Sequence, residues 1–115
     1  MQHLRMTAAG ACGAALIALL LAGAPGAAST AEPDARTLFM QNCQQCHQVS
    51  GVENTGNIGP ALADMKARFP DRKALFAIVF DETKRNPQTV MPPFGRNLIL
   101  TNQEINAIID FLHSR

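Results

Sequence analysis

The sequence predicts a small all-α fold, several short helices joined by long loops, and three observations carry that expectation. Apolar residues recur at helical spacing behind recognisable caps, most clearly at Ile105, Ile108, Ile109 and Leu112. No stretch alternates apolar and polar residues over any length, as a half-buried strand does. The chain has 115 residues and contains no internal repeat, which leaves room for one small domain at most. With 47% hydrophobic and 17% charged residues it is neither disordered nor collagen-like. A net charge of +1 lacks the basic excess of a nucleic-acid binder. There is no Trp or Tyr, so aromatic packing falls to six Phe.

The first 31 residues read as a leader. A basic start with Arg5 precedes an uncharged run from Ala8 to Ala24 that contains Leu16-Ile17-Ala18-Leu19-Leu20-Leu21. Pro25-Gly26 breaks the run, and small residues follow. This is the pattern of a cleaved secretory signal peptide, with cleavage after Ala31 or after Ala28 fitting equally well. The rival is a retained membrane anchor, for which an Ala- and Gly-rich run of about 17 residues is short. Cys12 precedes the apolar core, contrary to a lipoprotein cysteine, and leaves with the leader. Residues 32–115 then form the domain, in which the charges balance and no membrane anchor remains. That length is just above the ~70–80 residues below which a core normally needs a covalent or metal staple.

Within this domain Asp34 caps a first helix from Ala35 to about Cys43, with Leu38 and Phe39 on its apolar side. Gln48 to Pro60, with Gly51, Gly56 and Gly59, reads as a loop. Ala61 to Phe69 forms a short helix closed by Pro70. Asp71 caps a third helix from Arg72 to about Glu82, with Ala74, Leu75, Ile78 and Val79 on one face. Asn86-Pro87 ends it, and Val90 to Asn97 is extended or turning because of Pro92-Pro93 and Gly95. Thr101-x-x-Glu104 is a capping box that opens the last helix, which runs to about His113 and packs on Leu38 and Phe39.

Cys43-Gln44-Gln45-Cys46-His47 is C-x-x-C-H, the attachment signature of a c-type haem. Two thiols three residues apart at a helix end reach the two vinyl groups along one porphyrin edge. The adjacent His47 then turns its imidazole under the iron. The thioether chemistry takes place outside the cytoplasm, where a leader would send the chain. Three other uses of the cysteines stay open at this point. A thioredoxin-type pair calls for a βαβ context, a zinc site calls for further ligands, and a plain disulfide calls for nothing more.

A second axial ligand is available from Met40, Met65, Met91 or His113. Met40 lies on the first helix, three residues before Cys43. Met65 sits among Ala61, Leu62 and Phe69, where a methionine usually fills the core. His113, exposed near a helix C-terminus, complements the helix dipole. Met91, in Val90-Met91-Pro92-Pro93, is held by two prolines in a stiff irregular segment suited to presenting one thioether. His47 and Met91 are therefore the expected iron ligands, a pairing that raises the reduction potential. The Pro60 carbonyl is the expected acceptor for the Nδ1–H of His47, which would set its tautomer.

With these residues in place, the domain resembles the class I cytochromes c over essentially its whole length. It has a first helix ending in C-x-x-C-H, Gly59-Pro60, Met91-Pro92 and an amphipathic last helix. Gly56 to Leu62, Met65 to Arg72, Asn86 to Asn97 and Ile99 to Thr101 are similar to the SoxX family, the monohaem subunits of SoxAX cytochrome complexes. Met91 to Asn97 is the most specific string, and Ala61 stands where a second proline is expected. The resemblance implies a class I cytochrome c-like fold of short helices and long loops, wrapped round one covalently attached haem c. It also implies a periplasmic electron-transfer subunit of a complex that couples thiosulfate oxidatively to a cysteine of a carrier protein. The implied partners are a SoxA-like subunit in a heterodimer, a SoxYZ-like carrier and a downstream cytochrome acceptor. With Cys43 and Cys46 consumed and Met91 bound, the domain has no group for sulfur chemistry, so catalysis falls to the partner. The alternative is a freely diffusing cytochrome c serving an oxidase or peroxidase. An obligate subunit predicts an apolar surface patch near the haem edge that includes Phe94. A diffusing carrier predicts a charged face drawn from Lys66, Arg68, Arg72, Lys73, Lys84 and Arg85.

Overall fold

A computed structural model of the chain describes residues 33–115. The leader, both cleavage sites and Cys12 lie outside them. Four α-helices follow in order: α1 (Ala35–Asn42), α2 (Met65–Arg68), α3 (Arg72–Asp81) and α4 (Asn102–His113), with a 3-10 turn over Glu82–Lys84 continuing α3. No strand forms among the described residues.

Each long helix starts where a side chain satisfies its first free N–H groups. Asp34 accepts from the backbone N–H of Arg36 and Thr37 at 3.0 and 3.1 Å. Asp71 accepts from that of Lys73 at 2.9 Å. At α4 the box closes both ways: Glu104 N–H donates to the Thr101 hydroxyl at 3.2 Å, and Thr101 N–H donates to the Glu104 carboxylate at 2.7 Å. The α4 stripe of Ile105, Ile108, Ile109 and Leu112 is buried, and Phe111 joins it. Full burial of each aliphatic side chain is worth about 1.5–3 kcal/mol, so this one helix supplies a large part of the core. It packs on α1, α3 and α2. Against α1 the rings of Phe39 and Phe111 meet at 5.4 Å between centroids, tilted by 40°.

The second helix is shorter than its sequence pattern predicts. Ala61 to Ala63 stay irregular because their backbone groups bond elsewhere. Leu62 N–H donates to the Gln48 carbonyl at 2.7 Å. Arg68 Nη1 donates to the carbonyls of Ala61 and Ala63 at 3.0 and 3.3 Å. Asp64 then turns the chain with φ +52°, a left-handed conformation, before α2 begins.

The two long loops are part of the core. Val49 and Val52 from the first, and Phe94 and Leu100 from the second, are buried with the helical residues. Among the described residues no helix is long and apolar enough to cross a membrane.

Candidate functional site

The last turn of α1 delivers Cys43 as its C-cap, and a turn carries the chain on through Cys46 and His47. The first long loop folds back over this turn, with Gly56 N–H on the Gln44 carbonyl and Gly59 N–H on the Cys46 carbonyl, both at 2.8 Å. Pro60 thereby comes beside the imidazole, and its carbonyl lies 2.8 Å from His47 Nδ1. A carbonyl only accepts, so Nδ1 carries the proton and Nε2 keeps a lone pair for a metal. The approach is so close that a Cβ on Gly59 would fall 2.3 Å from His47 Cε1. Only glycine lets the backbone pass there.

Cys43, Cys46, His47 and Met91 line one cavity of about 520 Å³, within the ~300–1,000 Å³ typical of sites for bound organic molecules. Met65 lines it as well and is buried in the core. Met40 and His113 are not among its lining residues. Met40 instead receives a contact from Arg36 Nη1 at 3.4 Å. His113 departs from the expected exposed imidazole: its Nε2 is buried and has no hydrogen-bond partner among the described residues.

The segment that carries Met91 is anchored at several points. Met91 N–H donates to the Thr89 hydroxyl at 3.1 Å. Beyond Pro92-Pro93, the N–H groups of Gly95 and Arg96 both donate to the Phe80 carbonyl, at 3.1 and 3.2 Å. A Cβ on Gly95 would meet the Phe80 ring at 2.0 Å. Arg96 Nη1 reaches the buried Asp81 carboxylate at 3.0 Å. The Thr83 hydroxyl on Asp81, assisted by Arg96, holds that carboxyl below its usual range. The irregular backbone around Met91 is thus fastened to the end of α3.

The donor set separates the possible uses of the cysteine pair. Burial, reinforced by neighbouring Cys46, pushes the Cys43 thiol up to about 12, whereas a thioredoxin-type pair depends on a lowered thiol. Among the described residues no three His, Cys, Asp or Glu side chains gather as a metal cluster. A largely apolar cavity with two thiols, a tautomer-fixed histidine and a thioether on its wall fits a haem instead.

The comparisons with known proteins agree. The Cytochrome c family pattern matches residues 33–115. The chain belongs to the cytochrome c family. It is similar to the cytochrome c55X of Stutzerimonas stutzeri, 38% identical over 97 residues that cover 84% of this chain and 77% of the relative. It is also similar to the cytochrome c55X of Pseudomonas aeruginosa, 35% identical over 94 residues covering 76% and 71%. The cytochrome is of the class I type and carries one haem c, with Cys43 and Cys46 at the spacing that attaches it. When bound, the haem supplies an iron that takes up and releases one electron.

Two features of the site were not legible beforehand. Phe94, which the obligate-subunit reading places in an exposed patch, is 5% exposed and belongs to the core; the next two residues, Gly95 and Arg96, are bonded through their N–H groups to the Phe80 carbonyl. Conversely, Glu82 is buried although it is an ordinary acid at a helix end. Its pairing with Arg85 is visible as an i, i+3 spacing, but its place on the cavity wall is not.

Proposed function

We propose that this cytochrome is a periplasmic single-electron carrier whose iron is held between His47 and Met91. The observation that supports this reading is the convergence of two independently anchored segments on one cavity: His47, braced by Pro60, and Met91, braced through Thr89 and the end of α3. His47 and Met91 would both hold the iron, and the chain would then exchange electrons without binding a substrate at the metal. Ile58 and Val90 line the same cavity yet stay 70% and 81% exposed, so they mark its mouth and the place where a redox partner approaches. Arg68 and Arg85 also line the cavity and favour a partner with acidic groups around its own redox centre. A redox titration of the haem-loaded protein should follow a one-electron curve, and rapid mixing with a small redox protein should transfer one electron per haem. A two-electron curve, or ready binding of cyanide by the native oxidised protein, would contradict the carrier reading.

A second reading makes the chain the SoxX-like subunit of a thiosulfate-oxidising complex. It is supported by the resemblance of Met91 to Asn97 and by the apolar mouth at Ile58 and Val90. In that setting a SoxA-like partner joins thiosulfate to a carrier cysteine, and the two electrons released leave through this haem one at a time. The two readings part on a mixing experiment. A subunit co-elutes with a SoxA-like protein and is reduced when thiosulfate and a SoxYZ-like carrier are added. A diffusing carrier stays monomeric and donates directly to an oxidase or peroxidase.

A further inference from the structure

Two carboxylates are buried at the end of α3, and the architecture accounts for only one of them. Asp81 caps the 3-10 turn through Thr83 and holds Arg96, so it fastens the Met91 segment. Among the described residues the Glu82 side chain links no separate elements. Its carboxylate meets Arg85, three residues on, through Nη2 at 2.7 Å and Nε at 3.2 Å. The two ends of this pair differ in environment: the Glu82 side chain is 7% exposed and that of Arg85 66%. Both residues line the haem cavity. A buried charge held by one neighbour in the same turn is a weak source of stability, because its desolvation offsets the attraction. It is, however, a fixed negative charge on the wall of a redox site.

We propose that Glu82 and Arg85 form a tuning pair that sets the reduction potential of the haem, with Glu82 lowering it and Arg85 partly opposing that effect. The inference rests on the haem occupying this cavity. Taking up one electron from the electrode lowers the net charge of the site by one. A nearby anion disfavours that step, and a nearby cation favours it. The buried carboxylate acts through protein of low effective dielectric, whereas the exposed guanidinium is screened by water and salt. Glu82 therefore has the larger effect. Neither residue touches the iron; both act through the field.

The test is a spectroelectrochemical titration of haem-loaded wild type, Glu82→Gln, Arg85→Gln and the double variant. Haem staining on a denaturing gel and the far-red sulfur-to-iron band are recorded alongside. Glu82→Gln should raise the potential. At the poise that half-reduces the wild type, its ratio of reduced to oxidised protein should rise on the order of tenfold, which is 59 mV for one electron. Arg85→Gln should shift the potential the other way by a smaller amount, and the double variant should fall between the two. The Glu82→Gln shift should persist in 1 M salt. If Glu82→Gln does not fold, Arg85→Gln against Arg85→Lys decides, since only the lysine variant should restore the wild-type potential. Shifts of the same sign in both single variants, as simple loosening of the cavity produces, or no shift with the haem attached, overturn the proposal. Absence of haem staining in the wild type would overturn the carrier reading instead.

Discussion

Ile109→Ala isolates what α4 contributes to stability from what it contributes to the haem site. Ile109 is 0% exposed and, unlike Ile108, is not among the residues that line the cavity. The substitution removes three carbons, about 2.4 kcal/mol of transfer free energy at ~0.8 kcal/mol each. Ile109 belongs to the buried cluster that includes Leu38, Phe39, Ile105 and Phe111; a close-packed interior closes such a space only in part, and the cavity left behind adds to the loss. The expected cost is about 3–4 kcal/mol, within the ~2–5 observed for such truncations. A domain this small has a total stability of roughly 4–12 kcal/mol, and each kcal/mol is worth about 4–8 °C in Tm. The melting temperature of the holoprotein should therefore fall by at least ~12 °C. Far-ultraviolet circular dichroism is the assay of choice, since the chain has no Trp or Tyr to report by fluorescence. The far-red band should be unchanged below the transition. Asp110→Ala, one residue on, serves as the control: its pairing with Arg72 lies at the surface and is worth at most about 1 kcal/mol. If Ile109→Ala melts no earlier than Asp110→Ala, the stripe does not hold this core together.

Met91→Ala should keep the haem on the chain, lower its potential, abolish the far-red band and admit exogenous ligands. Loss of the band in Met65→Ala instead would give the ligand role to Met65. Gly59→Ala puts a methyl 2.3 Å from His47 Cε1, so it should break the Pro60 bond and disturb the axial spectrum at neutral pH while Cys43 and Cys46 remain attached; an unaltered spectrum would mean the loop yields freely. Asp81 has its folded pKa lowered, chiefly by the Thr83 hydroxyl. Its contribution to stability is complete above the unfolded carboxylate value of about 3.9 and disappears as pH falls through the lower folded value. Asp81→Asn should accordingly flatten the stability profile at acid pH, and a profile parallel to wild type below pH 4 would show that Asp81 is not the group responsible.

The site and the fold were legible in the sequence wherever the information is local. C-x-x-C-H places two thiols and an imidazole on one short turn, whatever surrounds it, and it determined the cofactor. Thr101, Glu104 and the isoleucine stripe determined α4, because caps and helical periodicity act over three to eleven residues. Pro92-Pro93 marked a rigid irregular segment around Met91 for the same reason. The tertiary structure alone decided the rest. Ala61 to Ala63 have helical composition, yet the Gln48 carbonyl, from the far side of the first long loop, and the Arg68 side chain, from α2 itself, capture their backbone groups and leave α2 with a single turn. Met65 and Met91 reach the cavity while Met40 and His113 do not, which depends on how α1 and α4 are rotated about their axes. Phe94 is buried where the Phe80 carbonyl fastens the neighbouring Gly95 and Arg96 N–H groups to the end of α3, and Glu82 lies on the cavity wall. Those outcomes depend on pairs of groups brought together across the chain by packing, and no pattern within a few residues encodes which side of the folded molecule a charge or a ring will face.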